Sequence, residues 1–136
     1  MGDYFGAMGT AIFGKLASGT ALVGALGGTL IFAQQAPDGQ AGAYVVFSHQ
    51  GGGPENLTPR EMRNNVWYVR SWADTPELAH RLDGLCEDLL HATALSVSGW
   101  SNFWCKREED VQLVENLPSG EKKWMAGGMY RVRLSA

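Results

Sequence analysis

Cysteine and positive charge are both scarce in this chain. Its 136 residues include only two cysteines, Cys86 and Cys105, which are too few for a disulfide framework. We expect both to be reduced thiols that pack as small hydrophobic side chains, as in a protein made in the cytoplasm. The 14 acidic residues outnumber the 11 lysines and arginines, so the net charge is −3. Proteins that grip nucleic acid through its phosphates need a basic surface, so this composition argues against specific DNA or RNA binding.

Sequence signatures of catalysis and of metal binding are also missing. The histidines, His49, His80 and His91, and the two cysteines lack the close spacing of a zinc site. Glycines follow His49, as in the backbone-donor loop of esterases, but no Gly-x-Ser-x-Gly motif supplies a nucleophile and no phosphate-binding loop is present. We therefore predict a protein that is not an enzyme, with no catalytic residue, no metal and no cofactor.

Charged residues are absent from residues 16–33, a stretch long enough to be considered as a membrane span or a signal sequence. Several glycines, serines and threonines interrupt this stretch, which makes it much less apolar than a genuine span. A signal sequence also begins with basic residues, whereas Asp3 is the only charge before Lys15. We expect neither a membrane anchor nor a secretion signal.

Helical periodicity is clearest in the segment that begins at Thr75. Thr75, Pro76 and Glu77 are an N-cap, a first-turn proline and a first-turn acid in the preferred order. A helix is also predicted over residues 3–16, and a short helical turn over residues 21–26. The apolar stripe of the clearest helix consists of Leu78, Leu82, Leu85 and Leu89, with Ala79, Cys86 and Leu90 beside it.

The remaining apolar segments have the short length or the alternation of β-strands. They are residues 29–33, 43–49, 66–72, 101–107, 111–115, 122–125 and 129–134. Between them we predict an acidic turn at residues 108–110 and a bulge at Gly127 and Gly128. The sequence predicts one α+β domain over residues 1–136, with a mostly antiparallel sheet of about five or six strands and two main helices packed on one face.

Tryptophan is plentiful, with five residues in this small chain. Trp67 and Trp72 differ in parity on one predicted strand, so their rings point to opposite faces of the sheet and only one can lie under the helices. Packing in the core is a sufficient explanation for any single tryptophan ring. If helices cover one face only, however, some rings are exposed unless a partner covers them, and protein interfaces favour aromatic residues. The surplus predicts a subunit of an assembly.

The last predicted strand adds two arginines to this argument. Arg131 and Arg133 alternate with Tyr130, Val132 and Leu134, so the arginines lie on the face that points away from the core. Arginine is enriched in protein interfaces. Our candidates for the subunit interface are therefore Trp67, Trp104, Trp124, Arg131 and Arg133.

Taken in order, the predicted elements resemble the tail-completion or tail-terminator proteins of long-tailed, siphophage-type bacteriophages. The resemblance spans nearly the whole chain and is a pattern of elements with few fixed residues. It consists of a first helix ending near Leu16, Leu30-Ile31-Phe32-Ala33 before an Ala36-Pro37 turn, Ala43-Tyr44-Val45-Val46-Phe47, the junction from Val66-Trp67-Tyr68-Val69 to Arg70-Ser71-Trp72-Ala73, the long helix, and Tyr130-Arg131-Val132-Arg133-Leu134. The glycine-rich and alanine-rich start departs from the pattern, so the role of residues 16–28 is open.

This resemblance implies a ring, typically a hexamer, that caps the finished tail tube, ends its polymerisation and joins the tail to the head connector. Its partners would be copies of itself, the tail tube protein and a connector or head-closure protein. DNA would pass through the ring without specific binding, and the protein would be made in the host cytoplasm and reside in the virion at the tail-neck junction. For contact with the tube or connector we expect the loop of Gly51, Gly52, Gly53, Pro54, Glu55 and Arg60.

Two readings from other classes stay open. One is a different neck protein, such as a head-closure or connector subunit, which would share the ring but change the partner. The other is a small carbohydrate-binding module that stacks exposed tryptophans on sugars. A ring predicts a fixed multiple of the subunit mass, whereas a sugar-binding module predicts tryptophan fluorescence that responds to glycans. An enzyme of unrecognised type would be indicated by turnover with a sharp pH dependence.

Overall fold

Three helices and five strands make up the described chain, which is residues 3–56 and 61–135 of this computed structural model. In chain order they are α1 (Tyr4–Ala17), α2 (Thr20–Leu26), β1 (Ile31–Ala33), β2 (Tyr44–Pro54), β3 (Met62–Ala73), α3 (Pro76–Leu90), β4 (Ser101–Asn116) and β5 (Lys122–Ser135). The strands form one sheet in the order β1-β2-β3-β5-β4. Every neighbouring pair is antiparallel except β1 and β2. The predicted α+β class is therefore confirmed.

The helices begin and end where their local sequence directs. The Asp3 carboxylate accepts a hydrogen bond of 2.8 Å from the Gly6 N–H and caps α1. Gly27 adopts φ +78° after α2, and the hydrogen bonds from residues 27 and 28 back into the helix close it. The Thr75 hydroxyl caps α3 at 3.3 Å from the Leu78 N–H. The buried stripe of α3 is Ala79, Leu82, Cys86 and Leu90, one position round from the predicted leucine stripe.

Strand alternation gives the sheet two different faces. The helices cover one face, where strand residues such as Phe47 and Val69 join the helix stripes in the main core. We call the opposite one the open face, and it carries a smaller buried cluster of Val46, Trp72 and Met125. The prediction that the helices pack on one face of the sheet is confirmed.

The predicted loop beginning at Gly51 is wrong over its first four residues. Strand β2 continues through Gly51, Gly52, Gly53 and Pro54, after a register shift between His49 and Gly51. Gly52 has φ +95°, and a Cβ atom there would lie 2.2 Å from the backbone oxygen of Asn64. Only glycine permits this close approach of β2 to β3, because it has no Cβ atom. The run of glycines is thus a bulged strand rather than a flexible connection.

The predicted acidic turn is also wrong. Residues 108–110 lie within β4, which runs unbroken from Ser101 to Asn116. The pairing of β4 with β5 shifts register between Arg107 and Glu109, so the acidic run marks a bulge rather than a reversal of the chain. The Glu108 carboxylate is held at 2.5 Å from Arg131 on β5, which compensates for placing an acid in a strand.

Strand β5 has no bulge at Gly127 and Gly128, contrary to the prediction. Both glycines pair in register with β3 and β4. A Cβ atom on Gly127 would lie 2.5 Å from the Val69 oxygen, and one on Gly128 would lie 2.6 Å from the Arg107 guanidinium. These glycines make room for a neighbouring strand and for a buried arginine.

No single helix in residues 3–56 and 61–135 is long and apolar enough to cross a membrane. Within these residues, the pair of α1 and α2 meets the criterion of length and composition when the two are taken together, and a bend of 83° separates them. Helix α1 buries Tyr4, Met8, Ile12 and Leu16 against the rest of the domain.

Candidate interaction surface

Aromatic rings cluster at one end of the open face. Tyr44 and Trp72 are partners across β2 and β3, and their rings stack with centroids 6.5 Å apart. Tyr68 packs against the same cluster, and the Arg70 guanidinium lies 5.1 Å from its ring centroid. Burial raises the pKa of Tyr44 and of Tyr68, so both hydroxyls stay protonated near neutral pH. Strand parity predicted that Trp67 and Trp72 lie on opposite faces of the sheet, but nothing local indicated which of the two would lie on the open face.

A cleft of about 1210 Å³ adjoins this cluster. Residues 34–42 form one wall, while Tyr44, Trp72 and the turn after β4 line the rest. Lys123 fixes the wall, because its ammonium group donates to the Gly42 oxygen and pairs with Asp74 at 3.1 Å. The cleft offers aromatic surface bordered by both signs of charge, which suits contact with a protein better than capture of a small charged ligand.

Arg131 and Arg133 lie at the other end of the open face, as predicted, and both are engaged in ion pairs. Arg131 contacts Glu108 at 2.5 Å and donates to the Asn64 side chain at 2.6 Å. Arg133 makes two hydrogen bonds of 3.1 Å to the carboxylate of Glu55. Glu55 is therefore bound within its own subunit. Both arginines remain partly exposed, so a neighbour could add contacts to them.

The glycines of β2 shape a hollow beside these arginines. Gly51 and Gly52 contribute no side chains, and a depression of about 300 Å³ extends from them past Val66 to Met129 and Arg131. Gly53 and Pro54 follow in the same strand, and Glu55 comes directly after its end. Of the residues predicted to contact the tube or connector, Arg60 lies outside the described residues.

The five tryptophans separate into distinct environments. Trp67 is buried in the main core, where its indole N–H donates to the Tyr4 hydroxyl at 3.2 Å. A ring in this position is not available to a neighbouring subunit, so Trp67 is not part of the interaction surface. Trp100 and Trp124 are half-buried and pack against the main core. Trp104 is half-buried opposite Arg133 in the sheet, so the structure brings Trp104, Arg131 and Arg133 together and leaves Trp124 apart.

Arg107 clamps α3 onto the sheet beneath it. Two of its nitrogens bond the Asp83 carboxylate at 2.8 Å each, and further bonds reach the Gly127 oxygen, the Tyr130 hydroxyl and Asp110. Burial opposes the charge of Arg107, but the hydrogen bonds to Asp83 and Tyr130 raise its pKa overall. Sequence reasoning missed this clamp because Asp83 lies on the polar side of the predicted helix and its partner is 24 residues away.

Burial lowers the reactivity of the two cysteine thiols. Burial raises the pKa of the Cys86 and Cys105 thiols to about 12, so neither is a thiolate near neutral pH. Within the part of the chain that the structure describes, no group of three His, Cys, Asp or Glu side chains could hold a metal ion.

Comparison with known proteins identifies relatives of this fold. A structure of a chain from the virion of a native gene transfer agent particle superposes with a TM-score of 0.80 at 17% identity, covering 98% of this chain and 100% of that one. A second solved chain has a TM-score of 0.55 at 12% identity and covers 96% of each chain. At these identities the likeness concerns the fold. Comparison with curated protein sequences gives no significant match.

Sequence similarity assigns the family. The family model for tail completion protein gp17 matches residues 10–120, which extends from α1 to the turn between β4 and β5. The match includes most of the elements that carried the predicted resemblance, but it ends before the last strand, which holds Tyr130 to Leu134. The chain belongs to the tail completion protein gp17 family and is a bacteriophage tail structural protein.

Proposed function

We propose that this protein forms a ring, a hexamer, that caps the head-proximal end of the tail tube. The ring would end polymerisation of the tube and join the tail to the head connector. The observation that carries the proposal is the tail completion family model, which matches residues 10–120. The virion chain of the gene transfer agent particle supports it further, because that chain has the same fold over its whole length.

The partners follow from this position in the particle. One side of the ring meets the tail tube protein and the other meets a connector or head-closure protein. DNA passes through the centre without specific binding, in keeping with the net charge of −3. The protein acts without catalysis and without a membrane, is made in the host cytoplasm, and resides at the tail-neck junction of the virion.

Particular residues are assigned to these contacts. Trp104, Arg131 and Arg133 are proposed to contact a neighbouring protein from the open face, and Trp124 from the helix-covered side. The hollow beside Gly51 and Gly52, with the following residues Gly53, Pro54 and Glu55, is proposed to receive the tube or connector. A strand end without side chains lets a partner backbone approach closely.

The sugar-binding alternative is disfavoured by the tryptophans themselves. Stacking on a sugar requires an open aromatic ring face, but Trp67 and Trp72 are buried and the other three rings are half-buried. A different neck protein remains the second candidate, because a head-closure subunit would share the ring and differ only in its partner.

The test measures assembly and tube length together. Light scattering of the purified protein, alone and with tail tubes of the same particle, is expected to give a species of about 88 kDa for six subunits of 14.7 kDa, free or bound at tube ends. Polymerising tube protein should then stop at shorter, uniform lengths. Arg133→Glu should weaken both effects, and its matched control, Arg81→Glu on the exposed side of α3, should weaken neither.

The two candidates give different results in this assay. A ring that binds connectors but leaves tube length unchanged would support a head-closure subunit. A protein that stays monomeric with tubes and with connectors would contradict both.

A further inference from the structure

Large apolar side chains are exposed at two separate places. Among the side chains that the structure describes, Phe5 and Phe13 on α1 are 58% and 40% exposed, and Leu113 and Val114 on β4 are 50% and 41% exposed. We call these pairs the α1 patch and the β4 patch. Apolar side chains of this size are favoured in the buried centre of interfaces and cost solubility when they stay open.

The two patches lie on opposite sides of the subunit. Helix α1 packs at the β1 side of the sheet, and the Phe5 ring is 5.0 Å from the His49 ring on β2. Strand β4 is the other edge strand. Four strand spacings separate the two edges, about 19 Å at the usual distance between strands. Neither patch can therefore cover the other within one subunit.

The outer edge of β4 is open to pairing. From Glu109 to Asn116 the strand pairs regularly with β5 on one side, and both register shifts occur before this segment. The segment has no proline and no lysine, the residues that commonly block addition of another strand. Leu113 and Val114 are adjacent, so they extend from opposite faces of the strand. A partner that contacts this edge can therefore cover apolar side chains on both faces.

The charges at the two sides are complementary. Glu109 and Glu115 lie on the β4 segment and have no ion-pair partner among residues 3–56 and 61–135. Between residues 4 and 37 the only charged residue is Lys15, at the end of α1, and it too has no ion-pair partner in the described chain. The α1 surface, on which Lys15 and the capping carboxylate of Asp3 offset each other, can approach the acidic edge, whereas two β4 edges would repel each other.

We propose that the β4 patch of one subunit meets the α1 patch of the next copy of this chain. The inference rests on the proposed ring and names the contact that builds it. Two different patches meeting head to tail form a heterologous interface, which closes into a ring when the rotation per subunit permits. Pairing of two β4 edges would instead give a twofold dimer and leave both α1 patches open.

Thiol crosslinking tests this contact directly. The variants are Phe13→Cys, Leu113→Cys and the double variant, treated with a short bismaleimide crosslinker. The native Cys86 and Cys105 are buried and protonated near neutral pH, so they do not compete for the reagent. Both substituted positions are exposed, so folding should be kept, as measured by circular dichroism. Light scattering of the uncrosslinked protein gives the assembly state independently.

The proposal expects a ladder of crosslinked species up to the full ring from the double variant, and no crosslinked species from either single variant. An assembled ring without this ladder, or with crosslinks in a single variant, overturns the contact but leaves the proposed ring standing. A protein that assembles neither alone nor on tail tubes overturns the contact and the ring together.

A second measurement compares the dissociation constant of the ring between variants that do and do not change the β4 patch. Leu113→Asp is expected to raise the dissociation constant of the ring by at least about tenfold, because a leucine that is exposed in the subunit and covered in the proposed contact is replaced by a charge beside other acids. The control is Arg81→Glu, which adds negative charge on the exposed side of α3 and should change the dissociation constant by less than about threefold. Equal effects of the two variants would overturn the proposal.

Discussion

Replacing Arg107 with methionine should strongly destabilise the subunit. The Arg107 side chain is 7% exposed and makes five hydrogen bonds, two of them to Asp83, which is 17% exposed. Methionine preserves much of the apolar stem but leaves Asp83, the Gly127 oxygen and the Tyr130 hydroxyl without these bonds. Removing one member of a buried ion pair costs about 3–5 kcal/mol, and we expect about 3 kcal/mol because Asp83 retains some access to water.

The assay is urea unfolding followed by circular dichroism, at several protein concentrations so that assembly does not contribute to the stability. A loss of about 3 kcal/mol corresponds to a melting temperature lower by about 10 °C for a domain of this size. Asp83→Asn should lose about half as much free energy of unfolding, because its amide oxygen still accepts one hydrogen bond from Arg107. Arg81→Met, on the exposed side of the same helix, should change stability by less than about 0.5 kcal/mol. A loss below about 1 kcal/mol for Arg107→Met would refute the clamp.

Two further changes follow from local geometry and burial. Gly52→Ala should destabilise the subunit by about 2 kcal/mol or more, because it adds strain at φ +95° to a clash with the Asn64 oxygen, whereas Gly53→Ala, into open space, should cost less than about 1 kcal/mol. Equal melting temperatures for the two variants would contradict the bulged strand. The pKa of the Cys86 and Cys105 thiols is about 12 when folded and 9.0 without burial, so the unfolded chain loses protons first and stability should fall as pH rises from about 9. Denaturation from pH 8 to about 10 should show a shallower fall for Cys86→Ala, and an unchanged slope would contradict this cause.

Much of the helical structure was predictable because its determinants are local. The Asp3 cap of α1 and the Thr75 cap of α3 lie within three residues of the groups that they bind. Parity along β3 correctly placed Trp67 and Trp72 on opposite faces. The choice between the faces was not predictable, because Trp67 is held by Tyr4, a residue 63 positions away.

The strands were harder to delimit because their limits depend on distant partners. The glycines of β2 have no side-chain pattern, and their extended state comes from pairing with residues of β3. The run of acids at 108–110 is typical of a turn, and it lies in a strand because Arg131 on β5 supplies the compensating charge for Glu108. The candidate site was predictable in part. Strand alternation placed Arg131 and Arg133 on the correct face of the sheet. Their ion pairs with Glu108 and Glu55 were not predictable, because these partners are distant in sequence and meet the arginines only in the folded sheet.

The position of β5 in the sheet has a consequence for synthesis of the protein. Strand β5 follows every other described element in the chain, yet it lies between β3 and β4 and supplies Tyr130, Val132 and Leu134 to the main core. Until β5 has left the ribosome, β4 has no strand to pair with and α3 lacks part of its support. Folding of this domain is therefore expected to wait for the synthesis of β5, and a chain interrupted before β5 cannot present a finished β4 edge to another subunit.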